Sequence, residues 1–229
     1  SSLFFFVLVN AINLANVRIY GEAEFWFAII KVTAIVAMIL FGIYLLGSGT
    51  GGEKASISNL WNDGGFFPTG FSSALLSLQI VVFAYVGVEL VGVTAGEAEN
   101  PKVTLRKAIN TLPFRIGLFY VGALIVILSV QGWRNYHAGQ SPFVTFFSKL
   151  GVPYIGSVMN IVVLTAALSS LNSGLYCTGR ILRSMSMGGS APKFMSKMSK
   201  QHVPYAGILA TLVVYVFGVF LNYLVPSRV

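Results

Sequence analysis

Residues 25–46, "FWFAIIKVTAIVAMILFGIYLL", form an apolar run interrupted by one charge, Lys31. A helix rises about 1.5 Å per residue, so roughly 20 such residues cross a bilayer core of about 30 Å. Runs of similar length recur at 71–96, 114–131, 152–179 and 204–225, and a shorter one occupies 3–17. Six helical spans are therefore predicted, in an all-α membrane protein with one transmembrane domain over 1–229. The composition agrees. Only 10% of the 229 residues are charged and mean hydropathy is +0.78, whereas a soluble domain carries about 25% charged residues. A surface this poor in charge calls for a lipid bilayer as its solvent. The single cysteine, Cys177, excludes an intrachain disulfide framework.

The connections between the runs are polar and rich in Gly, Ser or Pro, as in "GSGTGGEKASISNLWNDGG" at 47–65 and "GGSAPKFMSKMSKQH" at 188–202. Assigned alternately to the two faces, they divide the basic residues unevenly. One face receives Arg18, Lys102, Arg106, Lys107, Arg115, Arg180, Arg183, Lys193, Lys197 and Lys200; the other receives Lys54, Arg134, Lys149 and Arg228. The positive-inside rule places the first set, with the connections at 18–24, 97–113 and 180–203, in the cytoplasm. In a soluble protein the net charge of +8 would suggest nucleic acid. Here the sidedness of the charge accounts for it, and neither nucleic acid nor a cofactor is expected. The chain opens without methionine inside one apolar run and closes just past another, so it reads as an internal piece of a longer polypeptide.

Two ionisable acid or base residues lie well inside the runs, Lys31 and Glu89. A charge at bilayer centre costs at least about 2.5–3.5 kcal/mol, and such residues usually face a cavity or a partner. Glu89 sits in "FAYVGVELVGVTAGEAENP" (83–101) with Gly87, Gly92 and Gly96 around it. Each glycine weakens a helix by up to about 1 kcal/mol relative to alanine. Unwound backbone at membrane depth survives only inside protein or along a wet cavity. There, freed carbonyls can receive an ammonium group, and the N-terminal end of the next half-helix favours a carboxylate. "AYVGVE" is thus a seat for a zwitterion. The competing reading is that small residues merely let helices pack closely. Lys31, about 9 Å into its span, can either snorkel to the interface or gain and lose a proton in a low dielectric. A third cluster, "TAALSSLNSG" (165–174), puts Thr165, Ser169, Asn172 and Ser173 mostly on one helical face. That face suits a substrate pathway and suits hydrogen bonding to a neighbouring helix equally well. Catalysis is disfavoured: His137 and His202 fall in connections, outside any H-E-x-x-H pattern.

The segment 83–101 followed by "KAIN" resembles the sixth transmembrane helix of amino acid permeases in the amino acid–polyamine–organocation superfamily. "EFWFAIIKVTAIVAMI" (24–39) is similar to their fifth helix, and "NIVVLTAALSSLNSGLYCTGRILRSM" with "APKFM" to their eighth and the loop after it. "SPFVTFFSKLGVPYIGS" and "HVPYAGILATLVVYVFGVFLNYLVPSR" narrow the resemblance to members that carry L-asparagine. The resemblance implies a partial inverted-repeat transporter fold, five plus five helices with a discontinuous helix, of which this chain supplies helices four to nine. It implies a multi-pass protein of the bacterial inner membrane that takes up an amino acid with a proton, L-asparagine or another neutral, aromatic or γ-amino acid. A channel or structural subunit is the alternative from another class. Substrate contacts are implied for Phe83, Ala84, Tyr85, Val86 and Gly87, with Phe83 or Tyr85 as an aromatic gate; the polar face with Ser169, Asn172 and Ser173, read above from its spacing, is a further candidate for substrate contact. Lys31 and Glu89 are implicated in proton coupling or gating. The family's glycine-rich first helix, which binds the substrate carboxylate, is not in this sequence. The remaining helices of the polypeptide are therefore expected partners, and the fragment alone is expected not to transport.

Overall fold

The computed structural model describes residues 2–50, 55–85, 87–88, 90–95, 98, 100–137, 139–148 and 154–224. Among them every regular element is helical. Nine α-helices follow in order among the described residues: α1 Ser2–Ala15, α2 Val17–Ser48, α3 Phe71–Ala84, α4 Leu90–Ala95, α5 Pro101–Arg115, α6 Ala123–Val130, α7 Pro142–Ser148, α8 Ile155–Met187 and α9 Tyr205–Leu224. A π-helical stretch, Ile116–Gly122, joins α5 to α6 into one continuous rod. It begins three residues after Pro113, which has no N–H to give the preceding turn. Three helical segments, Val17–Ser48, Pro101–Val130 and Ile155–Met187, are long and apolar enough to cross a membrane.

The helices outrun the apolar stretches. α2 starts at Val17 rather than 25, so residues 18–24, expected as a connection, are helical. Residues 101–113 belong to α5, and α8 continues to Met187. At 32 and 33 residues, α2 and α8 are about 50 Å long. Hydropathy marks where a chain is greasy, not where its hydrogen-bond ladder stops. The stops are local. Gly49, at φ +71°, follows α2. α8 ends in a Schellman motif: Gly189 adopts φ +80°, its N–H bonds the Ser186 carbonyl at 3.2 Å, and Ser190 N–H bonds the Met185 carbonyl at 2.8 Å.

The chain divides into two compact units. One comprises residues 1–29, 92–97 and 166–229; the other comprises 30–91 and 98–165. In the first, Val9 of α1, Leu168 and Leu175 of α8, Val203 and Ile208 form the core. α8 and α9 cross with their backbones in contact, because both helices carry glycine there. A Cβ on Gly207 would lie 2.7 Å from the Gly179 carbonyl oxygen. In the second unit Met38 and Leu45 of α2 pack with Ala123, Val126 and Ile127 of α6, Phe146 and Phe147 of α7, and Met159. Gly42 again permits the approach, since a Cβ there would overlap the Val126 side chain. The C-terminal carbonyls of α6 are capped from outside the helix. Ser56 N–H and Asn59 Nδ2 donate to the Ser129 carbonyl at 3.0 and 2.9 Å, and Tyr136 Oη donates to that of Ile127 at 3.0 Å.

Candidate functional site

The expected span 71–96 is interrupted. α3 stops at Ala84 and α4 begins at Leu90. Between them Tyr85 N–H reaches the Val82 carbonyl, Val88 that of Tyr85, and Leu90 that of Gly87, at 3.1, 3.3 and 3.0 Å. Each of these bonds reaches back three residues instead of the four of an α-helix. Gly87 stands at φ +108°, a conformation glycine adopts freely and L-residues rarely do. Its neighbours leave the space open, the nearest being Leu90 Cδ1 at 3.7 Å from a built Cβ. The requirement for glycine here is therefore one of backbone angle rather than room. Of the expected substrate residues, Phe83 and Ala84 close α3 and Tyr85 and Gly87 form the turn, while Val86 lies outside the described residues, as does Glu89, expected for coupling or gating. The half-buried Tyr85 ring stacks on Tyr120, with centroids 5.3 Å apart and planes 25° from parallel. Tyr120 belongs to the π-helical stretch, so an aromatic pair braces the unwound turn.

Lys31 lies half-buried on α2. The polar face of α8 has a more specific environment, built wholly within the first unit. Asn172 is 0% exposed and Ser169 2% exposed. Ser169 Oγ donates to Glu24 Oε2 at 2.6 Å, and Asn172 Nδ2 donates to Glu24 Oε1 at 2.7 Å. On the other side, Asn13 Nδ2 of α1 donates to Asn172 Oδ1 at 2.6 Å and to the Asn172 carbonyl at 3.1 Å. Helical spacing explains the convergence: Ser169, Asn172, Ser173 and Tyr176 share one face of α8, and Tyr20 and Glu24 are a turn apart on α2. Tyr20 Oη donates to Ser173 Oγ at 3.4 Å. The Tyr20 ring stacks on Tyr176 at 4.0 Å, and the Arg180 guanidinium covers the Tyr176 ring, 3.3 Å from its centroid.

Glu24 and Asn13 did not stand out in the sequence. Glu24 borders the apolar run at 25–46 and looks like part of a solvated connection. Asn13 is one of three asparagines in the first sixteen residues. The available signal was "YGEAE" (20–24), where Tyr20 and Glu24 share a face, set beside the polar stripe of α8. Among the described residues no group of three His, Cys, Asp or Glu side chains is placed to hold a metal ion.

The family model for "Amino acid permease" matches residues 1–229. The chain is 64% identical to an L-asparagine permease of Salmonella typhimurium over 224 residues, which are 97% of this chain and 45% of that protein. It is 63% identical to an L-asparagine permease of Escherichia coli K12 over the same shares. It is 50% identical to the aromatic amino acid transport protein AroP of Escherichia coli O6:H1, covering 99% of this chain and 50% of that protein. No solved structure matches the chain. The chain spans about half the length of the curated relatives it matches. With all of its length matched by the family model, this chain belongs to the amino acid permease family.

Proposed function

We propose that the polypeptide containing this chain is a secondary active transporter that imports L-asparagine with a proton by alternating access. The observation that carries the reading is the interruption at Tyr85–Val88, with Gly87 at φ +108° inside an otherwise apolar helix. A break at that depth is costly unless the unwound backbone serves a polar guest. A free amino acid, positive at one end and negative at the other, is such a guest. Asparagine is preferred over an aromatic substrate because identity is 64% to a protein named for L-asparagine and 50% to one named for aromatic amino acids.

Phe83–Gly87 supply the substrate seat, with Phe83 or Tyr85 closing over it, and Lys31 and Glu89 carry the proton-sensitive contacts. Ser169, Asn172 and Ser173 bond α8 to its neighbouring helices rather than to the substrate. The protein lies in the bacterial inner membrane with residues 18–24, 97–113 and 180–203 on the cytoplasmic side, as the basic excess there supports. A proton moving down 100 mV releases about 2.3 kcal/mol, enough to hold roughly a 45-fold gradient of a neutral zwitterion.

The test is uptake of labelled L-asparagine by the full-length protein in proteoliposomes. A saturable uptake is expected, accelerated by an inward proton gradient and competed by unlabelled L-asparagine more strongly than by phenylalanine, tyrosine or γ-aminobutyrate. Uptake competed best by an aromatic amino acid would move the assignment to that substrate. Non-saturable flux would identify a channel.

A further inference from the structure

The carboxylate of Glu24 lies at the centre of a hydrogen-bond array whose direction is fixed. The Asn13 amide N–H points at Asn172 Oδ1, at 2.6 Å, which leaves the Asn172 amide nitrogen to face Glu24. An ionised carboxylate accepts and cannot donate. Every donor in the array therefore runs toward Glu24: Asn13 to Asn172 to Glu24 Oε1, and Ser169 to Glu24 Oε2. Both contacts to the carboxylate are short, at 2.7 and 2.6 Å, as charge-assisted bonds are. The array joins α8 to the consecutive helices α1 and α2, about 150 residues earlier in the chain. Asn172 and Ser169, sealed at 0% and 2% exposure, have no open surface to offer a substrate in this conformation.

We propose that Glu24 is a positioning residue for transport: through Asn172 and Ser169 it holds α8 to α1 and α2 as one rigid piece, and it sets turnover rather than substrate affinity. The inference rests on the transport reading above but concerns residues which that reading leaves away from the substrate. Removing the carboxylate takes the acceptor from the buried Asn172 amide and the short bond from Ser169. The fraction of molecules with α8 in its ordered arrangement drops, and turnover drops with it. Substrate binds the unwound turn equally well whether or not α8 is ordered, so saturation does not restore the ordered fraction and KM stays as it was.

The experiment measures KM and Vmax for L-asparagine uptake by the full-length protein in proteoliposomes, normalised to the amount of monodisperse folded protein. Glu24→Ala is expected to lower Vmax by about tenfold or more while KM stays within about twofold. Glu24→Gln keeps an oxygen for Asn172 and presents an amide that Ser169 can accept, so it is expected to recover most of the lost Vmax. The double variant Glu24→Ala/Asn172→Ala is expected to be no slower than the worse single variant, because one residue acts through the other. A KM raised about tenfold at full Vmax in Ser169→Ala or Asn172→Ala would make those side chains substrate ligands and overturn the proposal. Multiplicative losses in the double variant would also overturn it. If Glu24→Ala fails to fold, Glu24→Gln and Ser169→Ala, each of which leaves the array partly closed, decide between the same outcomes. Absence of uptake by the unaltered protein would refute the transport reading instead, and is distinguished by that control.

Discussion

Gly207→Ala should destabilise the protein through a clash that no side-chain rotation can relieve. A Cβ built at Gly207 meets the carbonyl oxygen, Cα and carbonyl carbon of Gly179 at 2.7, 3.1 and 3.3 Å. All three are backbone atoms of α8. Ordinary van der Waals contact begins near 3.4 Å, so α8 and α9 must part by roughly half an ångström or more at the crossing. Overpacking of this kind costs about 1–3 kcal/mol, and replacing a helical glycine by alanine returns about 0.8–1 kcal/mol. The net loss is about 0–2 kcal/mol, a fall of up to several degrees in the melting midpoint of a domain this size. Gly218→Ala on the same helix is the matched control, since nothing lies within 4 Å of its built Cβ; it should raise the midpoint by way of helix propensity alone. The assay is thermal unfolding of the full-length protein in detergent, followed by tryptophan fluorescence and by loss of the monodisperse size-exclusion peak. Equal midpoints for the two variants would refute the close crossing. Gly179→Ala should also fall below Gly218→Ala: its Cβ meets Cγ1 of the fully buried Ile208 at 2.6 Å, an atom held close to the α9 backbone.

Gly87→Ala tests the unwound turn: at φ +108° an L-residue is strained by about 1–3 kcal/mol, and substrate binding measured by scintillation proximity should weaken by tenfold or more. Normal affinity in that variant would show that the turn is not the seat. Lys31→Ala should abolish accumulation driven by a proton gradient while leaving counterflow exchange; retention of pH-driven accumulation would make Lys31 structural. Tyr136 provides a pH marker in the connection after α6, where burial pushes its phenol from the ordinary 10.0 up to about 12. Because the folded value is raised, its contribution to stability is complete below pH 10 and is lost as pH climbs through about 12. Tyr136→Phe should remove one late-titrating tyrosine from the ultraviolet absorbance titration and leave the neutral-pH spectrum otherwise unchanged.

Part of this architecture is visible in the residues because it rests on local chemistry. Gly87, Gly92 and Gly96 around Glu89 point to an interruption, and Gly87 realises it at φ +108°, which glycine reaches at little cost. Gly49 and Gly189 mark the ends of α2 and α8 by the same conformational argument. The starts of α2 and α5 were harder to see. Residues 18–24 and 101–113 are polar enough to look like connections, yet a backbone hydrogen-bond ladder continues through polar residues as readily as through apolar ones. In 18–24 the polar side chains of Tyr20 and Glu24 find partners on α8 while the helix stays intact. A hydropathy profile reports the solvent around a segment and says nothing of that continuation.

The polar network around Glu24 shows why a site is less legible than a fold. Ser169 and Asn172 were identifiable as one face of α8, but what a face meets depends on residues about 150 positions away, which periodicity does not supply. Glu24, placed at the rim of an apolar run, looked like any solvated acid. Its meaning comes from the two donors that converge on it and from the Asn13 amide that turns Asn172 toward it. A carboxylate with two short donors cannot let either go without stranding a buried polar group. The array therefore resists displacement of α8 relative to Glu24. For that reason Glu24 is better placed to govern how α8 moves than what the transporter recognises.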